Sequence, residues 1–151
     1  MPPRPPSTRS SQKGSMVVET VIAILLFSIG ILTLIGLQAT AIKVSAESKN
    51  RSEAAFLGNQ VIAQMWVDAG NMASYAHNPT GSLCTPSGGA TTHSPAVAWL
   101  NTVNAALPGA TSDRQQVIVD STTRTVTVSV CWQYPGEARP HSYVARAQIR
   151  G

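Results

Sequence analysis

The sequence predicts an α+β fold. A long N-terminal helix, membrane-embedded in its first half and amphipathic in its second, packs on a C-terminal antiparallel sheet of three or more strands. Three observations carry this prediction. Residues 21–37 read VIAILLFSIGILTLIGL, without a charge. Ala54, Leu57, Gly58, Val61, Ile62, Met65 and Ala69 then recur at helical spacing. Residues 125–134, TVTVSVCWQY, alternate with the period of a strand.

Residues 1–13 are rich in Pro and Ser and carry Arg4, Arg9 and Lys13 but no acid, a composition that forms no packed structure. Gly14-Ser15-Met16-Val17-Val18-Glu19 follows and runs straight into the apolar segment. Together with residues 16–18 that segment is long enough to cross a bilayer, since about 20 helical residues at 1.5 Å each cover roughly 30 Å. Glu19 is its only charge. A carboxylate there costs about 2.5–3.5 kcal/mol on insertion, which makes it a functional candidate. A secretory signal peptide would be cut after the apolar run, where Gln38-Ala39-Thr40-Ala41 offers a poor small-x-small site. That run is long for a signal peptide and contains an acid near its start. A plain single-pass anchor is the other alternative.

Gly14, the glutamate five positions on, the acid-free basic leader and the uninterrupted run resemble the class III leader of type IV prepilins. The resemblance implies that a prepilin peptidase cuts between Gly14 and Ser15 on the cytoplasmic side and methylates the new N-terminus at Ser15. Glu19 then takes the position of the family's glutamate. The family usually has phenylalanine directly after the cut, whereas this chain has Ser15. In a filament of packed apolar helices, the Ser15 ammonium of a neighbour and the Glu19 carboxylate offset each other's desolvation in an assembly salt bridge. A Glu19 that snorkels to the headgroups is the alternative.

The resemblance divides the chain into a leader (1–14), a transmembrane and assembly helix (15–37), an amphipathic continuation (38–70) and a globular periplasmic domain (71–151). The helix is expected to run from residue 16 to about residue 69, roughly 80 Å. Glu47 and Arg51 stand in the favourable i,i+4 order, and Gly70-Asn71 is a plausible stop. Gly30 and Gly36 each weaken the helix by about 1 kcal/mol relative to alanine, either to let it loosen on assembly or to allow close packing.

Residues 78–95 read as a loop and residues 95–107 as a short helix, capped by Ser94 and closed by Pro108-Gly109. Strands follow at 115–120, 125–134 and 143–150, with a turn at 121–124 and a loop at 135–140. In the second strand Val126, Val128, Val130 and Trp132 face the helix stripe, and Thr127, Ser129, Cys131 and Gln133 face away.

The chain has two cysteines, Cys84 and Cys131. An even number without CxxC spacing suits a periplasmic disulfide better than a zinc site. Such a bond would strap the Gly-rich loop over the outer sheet face and contribute roughly 4 kcal/mol by closing a loop of about 48 residues. The pI of 9.5 overstates the basic character. Loss of Arg4, Arg9 and Lys13 with the leader takes the side-chain charge from +4 to about +1, which removes the electrostatic case for nucleic acid. Lys43, Lys49 and Arg51 nearly balance the basic residues before the span, so charge alone sets no orientation.

No catalytic motif is present. His77, His93 and His141 form no HxxxH or HExxH pair, there is no GxSxG or P-loop, and Asp113, Asp120 and Glu137 sit in turns or at strand ends. The chain is read as a non-enzyme without cofactor or metal. Trp66, Trp99 and Trp132 are read as core residues.

Beyond the leader, the GLQ step at 36–38, Ala98-Trp99-Leu100, Leu107-Pro108-Gly109 and Cys131-Trp132 resemble the type IV pilus modification protein (PilV) family of minor pilins. That resemblance implies a low-abundance subunit that helps initiate pilus assembly, in a tip complex. Its partners would be the prepilin peptidase, other minor pilins, the major pilin, the inner-membrane assembly platform and inner-membrane lipid. It would lie in the inner membrane with a cytoplasmic N-terminus and in the pilus after assembly. A type II secretion minor pseudopilin has the same leader and helix. A tip adhesin or DNA-binding module would have to use the loops, where Arg139 and the three histidines are the candidates.

Overall fold

The computed structural model describes residues 13–149. Residues 1–12 of the expected leader, and Arg150 of the expected last strand, lie outside the described residues. The elements are α1 (Lys13–Val67), β1 (Thr80–Ser82), β2 (Thr85–Ser87), α2 (Ser94–Ala106), β3 (Gln116–Asp120), β4 (Thr125–Trp132) and β5 (His141–Gln148). The chain divides into two compact units between Ser45 and Ala46.

In the first unit the helix is exposed on every side from residue 15 onwards. Four of its hydroxyls are satisfied within it. Thr20, Ser28, Thr33 and Thr40 each donate to the carbonyl four residues back, at 2.8–3.2 Å. This removes unpaired donors from an otherwise apolar surface. The helix continues through Gly30 and Gly36, and a Cβ at either position would touch nothing.

The second unit is α+β. Ala54, Leu57, Val61, Ile62 and Met65 are buried along one face of α1. Against them lie Val126, Val128, Val130 and Trp132 of β4, Ala145 of β5, and Trp99, Leu100 and Val103 of α2. Strand order is β3-β4-β5, antiparallel throughout. Gly58 lets the sheet approach α1, since a Cβ there would stand 3.3 Å from the Tyr143 ring. The Trp99 indole N–H donates to the Leu57 carbonyl at 2.9 Å, tying α2 to α1. After α2, Gly109 takes φ +60°, and a side chain would run into the Gln133 carbonyl, so the Leu107-Pro108-Gly109 turn requires glycine.

Several expectations are corrected. α1 ends at Val67 rather than near 69, where the Asp68 carboxylate takes bonds from the following segment, and a 3₁₀ stretch, Ala69–Tyr75, succeeds it. The supposed loop 78–95 contains the β1–β2 hairpin, with Thr80 opposite Ser87. The N-cap of α2 is His93, not Ser94, and its side chain makes no capping bond. β3 starts one residue late, β4 stops at Trp132, and β5 begins two residues early. Trp66 is not core: it is 47% exposed, with Phe56 and Val67 also exposed. Ser129, expected on open sheet surface, is buried.

Candidate functional site

The N-terminal candidates fall on the start of α1. Gly14 and Ser15 lie in its first turn, where backbone N–H groups have no partner four residues back and local unwinding is cheap. Glu19 is four residues after Ser15, one turn along, and side chains on a helix lean toward its N-terminus. Met16, Glu19, Thr20, Ala23, Ile24 and Phe27 line one face of this segment. Among the described residues, no hydrogen bond or ion pair engages Glu19. One helix, near the N-terminus, is long and apolar enough to cross a membrane. The small-x-small sequence at 38–41 lies in the interior of this same helix.

Cys84 and Cys131 are joined, with Cα atoms 5.5 Å apart and a sequence separation of 47. Cys84 sits in the turn between β1 and β2, so the bond holds that hairpin against β4. Cys131 is fully buried although it lies on the sheet face away from α1. Part of the cover is Gln115, which sequence reading missed. Its side-chain amide donates to the Cys131 carbonyl at 2.9 Å and accepts from the Cys131 N–H at 2.8 Å. A side chain here extends the ladder of β3 by one pair. Gln116, also missed, donates from Nε2 to the carbonyls of Asn78 and Thr80. No local signal marks either glutamine, since both read as ordinary strand-end polar residues.

The histidines are not presented on open loops. His77 is buried; Nδ1 accepts from the Thr91 N–H, and Nε2 faces the Ser112 carbonyl at 2.8 Å. His93 Nε2 lies 3.0 Å from Asp68 Oδ2, its ring edge-on to Tyr75. His141 opens β5, stacked on Trp132, with Nε2 2.6 Å from Glu137 and Nδ1 3.6 Å from Glu47 of α1. Each ring joins separate segments of the second unit. The Asp68 carboxyl is held below its ordinary value by the Asn71 amide first, then by His93. Burial, with Asp68 nearby, pushes the Tyr75 hydroxyl up. Asp120 is lowered by the Thr123 hydroxyl and by the N–H groups of Thr123 and Thr122 in its turn. Among the described residues, no group of three or more His, Cys, Asp or Glu is placed to hold a metal ion.

The candidate features are thus a bare apolar helix with one carboxylate near its head, and a globular unit fastened by a disulfide. The chain matches no protein-family model, no curated protein and no solved structure.

Proposed function

We propose that this chain is a type IV prepilin cut between Gly14 and Ser15. Its mature form is a minor pilin that contributes to starting pilus assembly, in a tip complex with other minor pilins. One observation carries the reading. Gly14 and Glu19, at prepilin spacing, head a bare apolar helix that runs unbroken into a helix with one face buried under a sheet. An anchor that served only to tether would need neither the spacing nor the continuity.

The mechanism follows from charge. The prepilin peptidase unwinds only the first turn of α1 to reach the scissile bond. The cut leaves an α-ammonium on Ser15, the site of methylation. In lipid, Glu19 near the end of the span reaches the headgroups. When the subunit leaves lipid for a filament of apolar helices, that escape is lost. Its carboxylate is then neutralised by a neighbour's Ser15 ammonium, which sets the docking register. The second unit faces the periplasm, where the Cys84–Cys131 bond persists. The partners are the assembly platform, the major pilin and other minor pilins.

N-terminal sequencing of the chain recovered from sheared pili tests the cut. A start at Ser15 is expected; a start near Ala39 would mean an ordinary signal peptide and end the reading. Glu19→Ala should insert and be cut, with insertion easier by about 2–3 kcal/mol. It should nonetheless accumulate in the inner membrane and reduce piliation. Normal recovery of Glu19→Ala in pili would reduce Glu19 to a tolerated interfacial residue. Full piliation in a strain lacking the chain, together with lost protein secretion, would favour the type II pseudopilin.

A further inference from the structure

The two edges of the sheet are treated differently. β3 is short and guarded. Val117 exchanges both backbone bonds with His77, at 3.0 and 2.9 Å, and the Gln116 side chain bonds the backbone of the same neighbouring segment. β5 is eight residues long and pairs with β4 through eight consecutive partners without a bulge. Apart from that ladder, no backbone–backbone hydrogen bond among the described residues engages residues 142–146.

The backbone phase follows from the other edge. A strand residue turns its N–H and C=O to the same side. Val117 turns both toward His77, away from β4, so its cross-strand partner Val128 turns its own toward β5, to Ala145. Ala145 therefore faces β4. By alternation Ser142, Val144 and Arg146 turn their N–H and C=O outward.

These side chains lie on the sheet face away from α1, and Val144 and Arg146 end two cross-strand rows: Gln116–Ser129–Val144 and Ile118–Thr127–Arg146. Val144 is 43% exposed, and Arg146 is exposed with no ion pair among the described residues. Neither Pro nor Lys, the usual guards of an open edge, occurs within β5.

We propose that the outer edge of β5 is a strand-addition site. It receives an extended segment of another protein that places an apolar side chain beside Val144 and an acidic one beside Arg146. Unpaired, alternating N–H and C=O groups are complementary to extended backbone and to nothing else of that length. The unpaired guanidinium sets the sign of the neighbour. The inference holds whether or not the chain enters a filament.

The test uses the full chain in detergent and a symmetric peptide, acetyl-Thr-Val-Thr-Asp-Thr-Val-Thr-amide, which fits either strand direction. Its counterpart has Lys in place of Asp. Amide hydrogen exchange is followed residue by residue. The Asp peptide should slow exchange at Ser142, Val144 and Arg146. It should half-saturate at a concentration about fivefold lower than the Lys peptide. Arg146→Glu should reverse that preference, and Val144→Pro, which removes an outward N–H and leaves the ladder to β4 intact, should abolish the slowing. Unchanged exchange at these amides up to the solubility limit of the peptide would overturn the proposal. So would protection confined to α1, or an unaltered preference in Arg146→Glu. Self-association that protects the same amides without peptide would give the site to a second copy and overturn it as well.

Discussion

The two halves of α1 share one backbone and live in different surroundings. Up to Ser45 every described side chain is exposed, and most are apolar. From Ala54 to Met65 one face is buried under the sheet and α2, while Phe56 and Val67 are exposed. The backbone ladder is indifferent to this change, because each turn satisfies its own polar groups. The side-chain pattern responds to it. An all-round apolar surface requires lipid or other helices, whereas a one-sided stripe requires a core. Helicity and packing are therefore separable in this molecule. The first half is helical with every described side chain exposed, and the second half carries the core.

A matched pair of substitutions breaks the comparison most sharply. Val61→Asp places an unpaired carboxylate in a fully buried site and should destabilise the second unit by more than about 4 kcal/mol. Leu25→Asp, in the bare half, should leave the thermal transition of that unit in detergent unchanged. It should act only on insertion, by about 2.5–3.5 kcal/mol. Equal transitions for the two variants would refute the division.

Next in size is the disulfide. Cys84→Ser with Cys131→Ser should lower the stability of the second unit by about 4 kcal/mol in the chain-entropy model. Denaturant melts followed by tryptophan fluorescence measure this, because Trp99 and Trp132 are both in that unit's core. The helical signal of residues 15–45 should persist through the transition. Loss of all helicity in one step would show the halves to be coupled.

A smaller contrast concerns two buried indoles. Trp99 donates to α1, whereas Trp132 Nε1 is buried with no partner. Trp99→Phe loses a hydrogen bond and leaves the Leu57 region less well tied, so it should cost about 1 kcal/mol more than Trp132→Phe, which also removes an unsatisfied donor. The smallest effect is at the end of the packed half. Asp68 has a folded pKa below its unfolded one, so its stabilisation is present above about pH 4 and is lost as the pH falls through the folded value. Asp68→Asn should flatten the acid arm of stability against pH. An unchanged acid arm would assign it elsewhere, with Asp120 the next candidate.

Much of this architecture is legible in the residues. The apolar run, the stripe at 54–65 and the alternation of β4 are periodic signals, and periodicity reports which face of an element meets which medium. The face assignment of Val126, Val128, Val130 and Trp132 and the single possible cysteine pair follow from the chain alone. The candidate site at Gly14 and Glu19 is legible for the same reason: it is a spacing within one segment. The β1–β2 hairpin was not legible, because Gly, Pro, Ser and Thr satisfy both a loop and a three-residue strand pair. The strap of the Cys84 loop over the outer sheet face was legible from the cysteine pair. The cover that Gln115 gives Cys131 was not, because it depends on a side chain bonding a distant backbone.

By itself, the sequence determined that a helix begins beside Gly14, that its first half is lipid-like and its second half one-sided, and that a sheet follows. These are properties of neighbouring residues and of the solvent each side chain prefers. Only the tertiary structure decided that Gln115 extends the β3 ladder, that three histidines join segments, that Trp66 stays outside the core, and that one sheet edge is guarded while the other is open. Each of these depends on a side chain or backbone group meeting a partner some 16 to 94 residues away, or meeting none. Such encounters are set by how elements cross, which no local pattern encodes.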